Sequence, residues 1–199
     1  MDDKLFFIGC DEVGWGCLAG PLVVVGVRAP KDWTLEGLND SKKLSLKRRE
    51  MMSEKLEKLI ADGTITWALV EKSNTVIDQL GAGPTRKQAF VEVFHQLYQL
   101  DSLIISDGNL KFDNLGADAY DIKSLIKADT IVPQVMAASI LAKVYRDSKM
   151  KLLHKKYPVY GWDKNVGYGS KNHMEALALH GPCPLHRFSY APVKKLSIA

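Results

Sequence analysis

Asp11 and Glu12 stand side by side at the end of the apolar run LFFIGC and lead into a glycine-flanked turn, Gly14-Trp15-Gly16, ahead of the run LAGPLVVVGV. An adjacent acidic pair at the mouth of a buried strand sets one carboxylate on each side of the strand end. Burying two anions is costly unless cations neutralise them. Two more acids have a similar setting: Asp107 closes SLIISDG, and Asp129 follows the run YDIKSLIKAD. Carboxylates at or just after strand ends share the rim of a sheet, where side chains converge on one cleft. Carboxylate oxygens are the ligands that magnesium and manganese prefer. Four of them suit a pair of ions about 3.5–4 Å apart, which activate water and stabilise the leaving oxygen of an in-line phosphodiester displacement. Spacing alone leaves a plainer alternative open, in which Asp11 caps a turn.

The elements that must position these acids are readable in outline. LFFIGC and PLVVVGVRA read as two β-branched and aromatic strands around the DEVGWG turn, and TITWALVEK as a third, giving a consecutive antiparallel meander. Between the second and third, LSLKRREMMSEKLEKLIADG reads as a helix with Leu46, Leu56, Leu59 and Ile60 in its apolar stripe, Ser45 capping its start and Gly63 its end. A second helix is expected from about Thr85 to Leu100. Short strands then reach Asp107 and Asp129. From Pro133, a natural first-turn residue, QVMAASILAKVYRDSKMKLLHKKY reads as a long helix with a basic outer face, and a last helix covers roughly Lys171 to Leu179. Strands alternate with helices without internal repeats.

The 199 residues suit one domain, and 46% hydrophobic with 25% charged residues is ordinary globular composition. The net charge of +4 leans basic. Its distribution says more, because Lys143, Arg146, Lys149, Lys151, Lys155, Lys156, Lys164 and Lys171 face only Asp147 and Asp163 in that stretch. Cys10, Cys17 and Cys183 cannot all pair and lack metal-ligand spacing, which fits a reducing compartment. The first apolar run is too short, and Asp2-Asp3 too acidic a prelude, for a signal peptide. A cytoplasmic protein without membrane spans is expected.

The blocks DEVGWGCLAGP, GLNDSKKLS, SDG, IKAD, AASILAKVYRD, YGWDKNVGYGS and GPCPLHRFSYAPV, in this order, resemble the consecutive signature blocks of ribonuclease HII, over about residues 8 to 193. The resemblance implies an α/β ribonuclease H-like fold: a central mixed five-stranded sheet flanked by helices, with a helical C-terminal lobe from about residue 160. It implies cleavage of the RNA strand of RNA/DNA hybrids and of ribonucleotides embedded in duplex DNA. Asp11, Glu12, Asp107 and Asp129 then match the four metal-binding acids. With two Mg²⁺ or Mn²⁺ ions they would support hydrolysis leaving a 3′-hydroxyl and a 5′-phosphate, without a Ser, Cys or His nucleophile. His173 and His186 are expected in structural or surface roles.

Gly14-Trp15-Gly16 matches the family's glycine-arginine-glycine element, whose backbone recognises the ribose 2′-hydroxyl, the group that tells RNA from DNA. Trp15 replaces the arginine, removing a permanent cation. It either stacks on a base or sugar or packs against the neighbouring loop. Tyr168 matches the family tyrosine that packs on the sugar beside the scissile junction, with Gly167 and Gly169 suited to close approach. Lys42, Lys43, Lys143 and Arg146 are the expected phosphate contacts. Gly81-Ala82-Gly83-Pro84 stands where the family carries an asparagine and a DNA-strand contact. Two competing readings remain: a hybrid-binding module with weak turnover, suggested by Trp15, and a small-molecule phosphatase, which leaves the basic helix idle. No sliding-clamp peptide is evident after Pro192, and a monomer is expected.

Overall fold

The computed structural model describes residues 4–112 and 119–196. The Asp2-Asp3 prelude and the last three residues of the tail lie outside them. Five strands form one mixed sheet in the order β3-β2-β1-β4-β5. The meander is β1 (Phe6–Val13), β2 (Leu22–Pro30) and β3 (Thr66–Lys72), antiparallel throughout. On the other edge of β1, β4 (Ser102–Asp107) and β5 (Ile122–Leu125) add in parallel. The β1–β4 register pairs Cys10 with Ser106, so the next step brings Asp11 and Asp107 to the same end of the sheet.

Strand alternation distributes the core. Ile8, Cys10 and Val24 face helix α3 (Ala82–Leu97) and its Phe90 and Phe94, each fully buried. Burying a phenylalanine stabilises the fold by about 1.5–3 kcal/mol. Val23, Val25 and Val27 face α1 (Leu46–Ala61) and α4 (Pro133–Lys156), whose Ala137, Ala138 and Ile140 are buried. Gly9 makes the close approach of α4 possible: a Cβ there would stand 2.2 Å from the backbone of Gln134 and of Val135. Because Asp11 shares the parity of Gly9 and Glu12 that of Cys10, one acid leans toward α4 and the other toward α3.

Several expectations shift. The stripe of α1 holds at Leu56, Leu59 and Ile60, with Met52 and Ser53 added, while Leu46 is 50% exposed because the helix packs on α4 by one side only. Ser45 does cap it, accepting from the Arg48 N–H at 3.4 Å. The helix expected at 85–100 runs from Ala82 to Leu97. Gly-Ala-Gly-Pro reads as a loop by composition, yet Pro84 lies in the first turn, where its missing N–H costs nothing. Ahead of it an unanticipated helix, α2 (Asn74–Leu80), is capped by Ser73 and ends on Gly81 at φ 84°. Asp129 is not at a strand end. β5 stops at Leu125, Lys127 adopts φ 62°, and Asp129 sits in a 3₁₀ turn, Ala128–Thr130.

The C-terminal helices α5 (Trp162–Asn165), α6 (Lys171–His180) and α7 (Ala191–Leu196) gather round a third core containing Leu18, Met150, Trp162, Leu177 and Val193. Helix α2 clasps this lobe: Asn74 Nδ2 donates to the carbonyls of Pro184 (2.8 Å) and His186 (3.1 Å). His173 and His186 are both fully buried in it, which bears out their structural reading. The Cys183 N–H donates to His186 Nδ1, so His186 carries its proton on Nε2 and points it at His173 Nε2, 3.1 Å away. His173 Nε2 also receives the Trp162 indole N–H, and its Nδ1–H donates to the Tyr168 carbonyl at 2.8 Å. Burial disfavours the charged form, each ring would repel a charge on the other, and a proton on His173 Nε2 would meet the Trp162 and His186 donors. At His186 only the Cys183 carbonyl, 3.3 Å from Nδ1, opposes this. His186 is accordingly pushed down to about 4, and His173 below its ordinary value.

An acid-labile lobe follows. The neutral imidazoles contribute stability that is complete above the ordinary value of 6.5 and is lost as pH falls toward about 4. The melting temperature is expected to fall across that window, and to fall less in His186→Gln, which has no proton to take up. Parallel curves for the two proteins would refute this.

Candidate active site

Asp11, Glu12 and Asp107 line one cleft of ≈ 440 Å³ at the sheet's end, together with Gly14, Trp15, Gly16, Lys42, Lys143 and Tyr168. Asp11 is 6% exposed; its Oδ1 accepts the Glu12 N–H at 2.8 Å, and the Ser139 hydroxyl from α4 lowers its proton affinity from close by. Burial first, and the neighbouring Glu12 charge second, push it up to about 8. Glu12 is held from α3 by Arg86, whose Nη2 stands 2.7 Å from Oε1. Burial nevertheless raises Glu12 above the usual carboxylate range. Asp107 is raised by burial and by Asp129, whose N–H it accepts at 3.5 Å. Asp129, buried just beyond the cleft wall, receives Lys42 Nζ at 2.9 Å.

Among the described residues no three acidic, histidine or cysteine side chains close round one point as an ion cage. The acids stand as two pairs, each with one cation: Asp11 and Glu12 with Arg86, Asp107 and Asp129 with Lys42. The donor chemistry fits a hard divalent ion all the same. Every donor is a carboxylate oxygen, the groups are crowded and desolvated, and Glu12 Oε2 is buried without a hydrogen-bond partner. Such a cluster is short of positive charge.

The glycine turn is fixed from beneath by two fully buried arginines. Arg146 donates to the carbonyls of Pro21 (2.8 Å), Val166 (2.8 Å) and Ala19 (3.1 Å). Arg187 donates to the carbonyls of Trp15 (2.7 Å) and Gly20 (3.0 and 3.1 Å), and the Tyr190 hydroxyl also reaches Trp15 O at 2.6 Å. Gly14 needs its freedom twice over: its φ is +89°, and a Cβ would lie 2.2 Å from Arg146 Nε. At Gly16 a Cβ would meet nothing within 4 Å, so this glycine leaves the cleft open. Trp15 lies with Arg86 over its ring, 4.6 Å from the centroid, and remains 45% exposed. It packs on a neighbour and keeps surface for a ligand.

The sequence-predicted residues therefore sort unequally. The structure brings the turn, Lys42, Lys143 and Tyr168 to the acids. Arg146 is a correction: with no exposed surface it staples the turn to the lobe instead of reaching a phosphate. Lys43 is exposed and outside the cleft wall. Lys42 spends its ammonium on Asp129, though its side chain is 75% exposed. The basic face of α4 is partly self-neutralised, Lys143 by Asp147 at 2.9 Å and Lys149 by Glu71 at 2.6 Å. Gly167 approaches protein, its Cβ position being 2.6 Å from Ala19 O. Sequence reading missed Arg86, Ser41 and Ser139. The two serines share a 2.8 Å hydrogen bond beside Asp11 and line the cleft. Only the rule that a buried acid needs a cation pointed toward a residue like Arg86, and nothing local said which.

Comparison with known proteins gives a consistent result. The sequence profile described as Ribonuclease HII matches residues 8–193. A protein named Ribonuclease HII from Helicobacter pylori (strain P12) is 42% identical over 187 residues, 92% of this chain and 90% of that one. Among solved structures, the ribonuclease HII of the PCNA complex from Archaeoglobus fulgidus superposes with a TM-score of 0.76 at 27% identity, covering 94% of this chain and 95% of its own. The ribonuclease H2 from Pyrococcus horikoshii OT3 gives 0.78 at 24% identity, covering 97% of each chain.

Proposed function

The chain belongs to the ribonuclease HII family, and from that premise we propose that it hydrolyses the RNA strand of RNA/DNA hybrids and the 5′ side of ribonucleotides embedded in duplex DNA. One observation carries the reading: three acids, Asp11 buried and Glu12 and Asp107 partly so, line the same cleft as the Gly14-Trp15-Gly16 turn. Metal-assisted phosphodiester hydrolysis uses the first, and a backbone that reads a 2′-hydroxyl uses the second.

Asp11, Glu12, Asp107 and Asp129 would hold two Mg²⁺ or Mn²⁺ ions. Bound there, the ions would activate water and stabilise the departing 3′-oxygen, leaving 3′-hydroxyl and 5′-phosphate ends. The chain's own residues do the rest. Gly16 gives a ligand room beside the turn backbone, Trp15 and Tyr168 offer flat faces to sugar and base, and Lys143 sets a cation on the cleft wall. Tyr168, 43% exposed, is held through its carbonyl by His173. Its phenol is pushed up to about 12, chiefly by burial, and so stays protonated. No helix among the described residues is long and apolar enough to cross a membrane.

Trp15 sets the expected ranking of substrates. A charge-assisted hydrogen bond contributes about 1.5–3 kcal/mol, and its loss should weaken capture of a lone ribonucleotide more than that of a hybrid, which offers a ribose at every step. With Mn²⁺ or Mg²⁺ present, the protein should cleave a long hybrid with a kcat/KM roughly tenfold or more above that for duplex DNA carrying one ribonucleotide. Equal values would defeat the role given to Trp15. Failure to cleave either, with activity on a small phosphoester, would defeat the nuclease reading.

A further inference from the structure

Arg86 stands behind the cleft wall, announced by no motif, and it reaches three parts of the site at once. Its Nη2 holds Glu12 Oε1 at 2.7 Å, its guanidinium lies 4.6 Å over the Trp15 ring, and Nη2 is 3.7 Å from the position a Cβ would take on Gly108, the residue after Asp107. The side chain is only 14% exposed. Phe90, one turn further along α3, brings a second ring near the guanidinium, its centroid 6.0 Å away. The chain thus sandwiches a planar cation between an acid of the hydrolytic set and the aromatic residue of the ribose turn.

Two orphan atoms show what this arrangement favours. Arg86 occupies Oε1 of Glu12 and leaves Oε2 buried with no partner, while its own Nε is also unpaired. A bidentate guanidinium would have covered both carboxylate oxygens. The single-point contact orients Glu12 and keeps one oxygen free. The planar guanidinium also lies over Trp15, a contact that the small ammonium of a lysine makes less well.

We propose that Arg86 is a positioning and specificity-determining residue: it aims Glu12 for divalent-cation binding and, through the same guanidinium, sets Trp15 as a flat platform for the ribose. Arg86 does not restore the cation that Trp15 removes from the turn: it is engaged by Glu12 and lies against the indole. An arginine at position 15 would instead stand against Arg86, so Trp15 and Arg86 form a matched pair. The inference rests on the functional reading above.

The test uses the whole chain, with Arg86→Met and Arg86→Lys in the natural and the Trp15→Ala backgrounds. Mn²⁺ binding is read by calorimetry without nucleic acid, and affinity for labelled duplex DNA carrying one ribonucleotide by fluorescence anisotropy in EDTA. Partners that orient metal ligands typically change affinity 10–100-fold. Arg86→Met should therefore weaken Mn²⁺ binding by about tenfold or more. It should also weaken duplex binding when Trp15 is present and leave it unchanged in Trp15→Ala, because the effect passes through the indole. Unchanged or tighter Mn²⁺ binding, or an equal loss of duplex affinity in both backgrounds, overturns the proposal. Should Arg86→Met not fold, Arg86→Lys decides: it keeps the charge on Glu12 and loses the flat stack. Near-natural Mn²⁺ binding with weakened duplex binding supports the proposal, and any other pattern overturns it. Cleavage of a hybrid by the natural protein runs alongside. If that fails, the functional reading falls; if it succeeds and the Arg86 variants match the natural protein, only the role of Arg86 falls.

Discussion

Asp11→Asn is expected to abolish Mg²⁺- or Mn²⁺-dependent cleavage of an RNA/DNA hybrid while leaving the fold intact. The loss should be on the order of 10⁴-fold, as when one member of a catalytic unit is removed. Asn keeps the size of the side chain and an oxygen to accept the Glu12 N–H, but gives up the anionic donor. Stability should not suffer, because Asp11 is 6% exposed and crowded by Glu12 and Asp107, so the natural carboxylate is a strained occupant. A melting temperature equal to or above that of the natural protein, with cleavage gone, is the anticipated pair of results. Retained cleavage would sink the two-ion assignment.

Arg146→Met should do the opposite, and this separates a staple from a phosphate contact. Three carbonyls, of Pro21, Val166 and Ala19, would lose their donor inside the protein. Each stranded buried carbonyl costs about 1–3 kcal/mol, and a total of about 3–5 kcal/mol lowers the melting temperature of a domain of this size by roughly 6–20 °C. Scanning calorimetry would register it directly. Had Arg146 met phosphate, the melting temperature would hold and only the salt dependence of nucleic-acid binding would change. An unchanged melting temperature would therefore restore the earlier reading.

The contrast shows what the sequence made legible. The strands announced themselves through β-branched runs, and the meander followed from the short connection between β1 and β2. Asp11, Glu12 and Asp107 could be placed at a common rim because strand ends mark themselves by composition. Asp129 was right in neighbourhood and wrong in setting, since the left-handed backbone at Lys127 that turns the chain into its 3₁₀ turn has no signature in a lysine. The arginines were the main failure. Charge patterning treats every Lys and Arg as solvated, yet a guanidinium with five donors satisfies several buried carbonyls at once, and Arg146, Arg187 and Arg86 are all used inside the protein. Which acid or carbonyl each one meets depends on how α3, α4 and the lobe dock, and no local pattern records that. The loop reading of Gly81–Pro84 erred for the converse reason, because composition does not say on which side of a helix start a proline falls.

The hydrogen bond from Arg187 to the carbonyl of Trp15 joins residues 172 positions apart. Contacts of such separation form late in folding, because closing a long loop costs entropy before any packing compensates it. As the chain leaves the ribosome, β1 and its acids emerge first, but the turn that would recognise a ribose stays unclasped until the lobe has been made and docked. The order of synthesis thus places the acids of β1 ahead of the clasp that fixes the turn beside them.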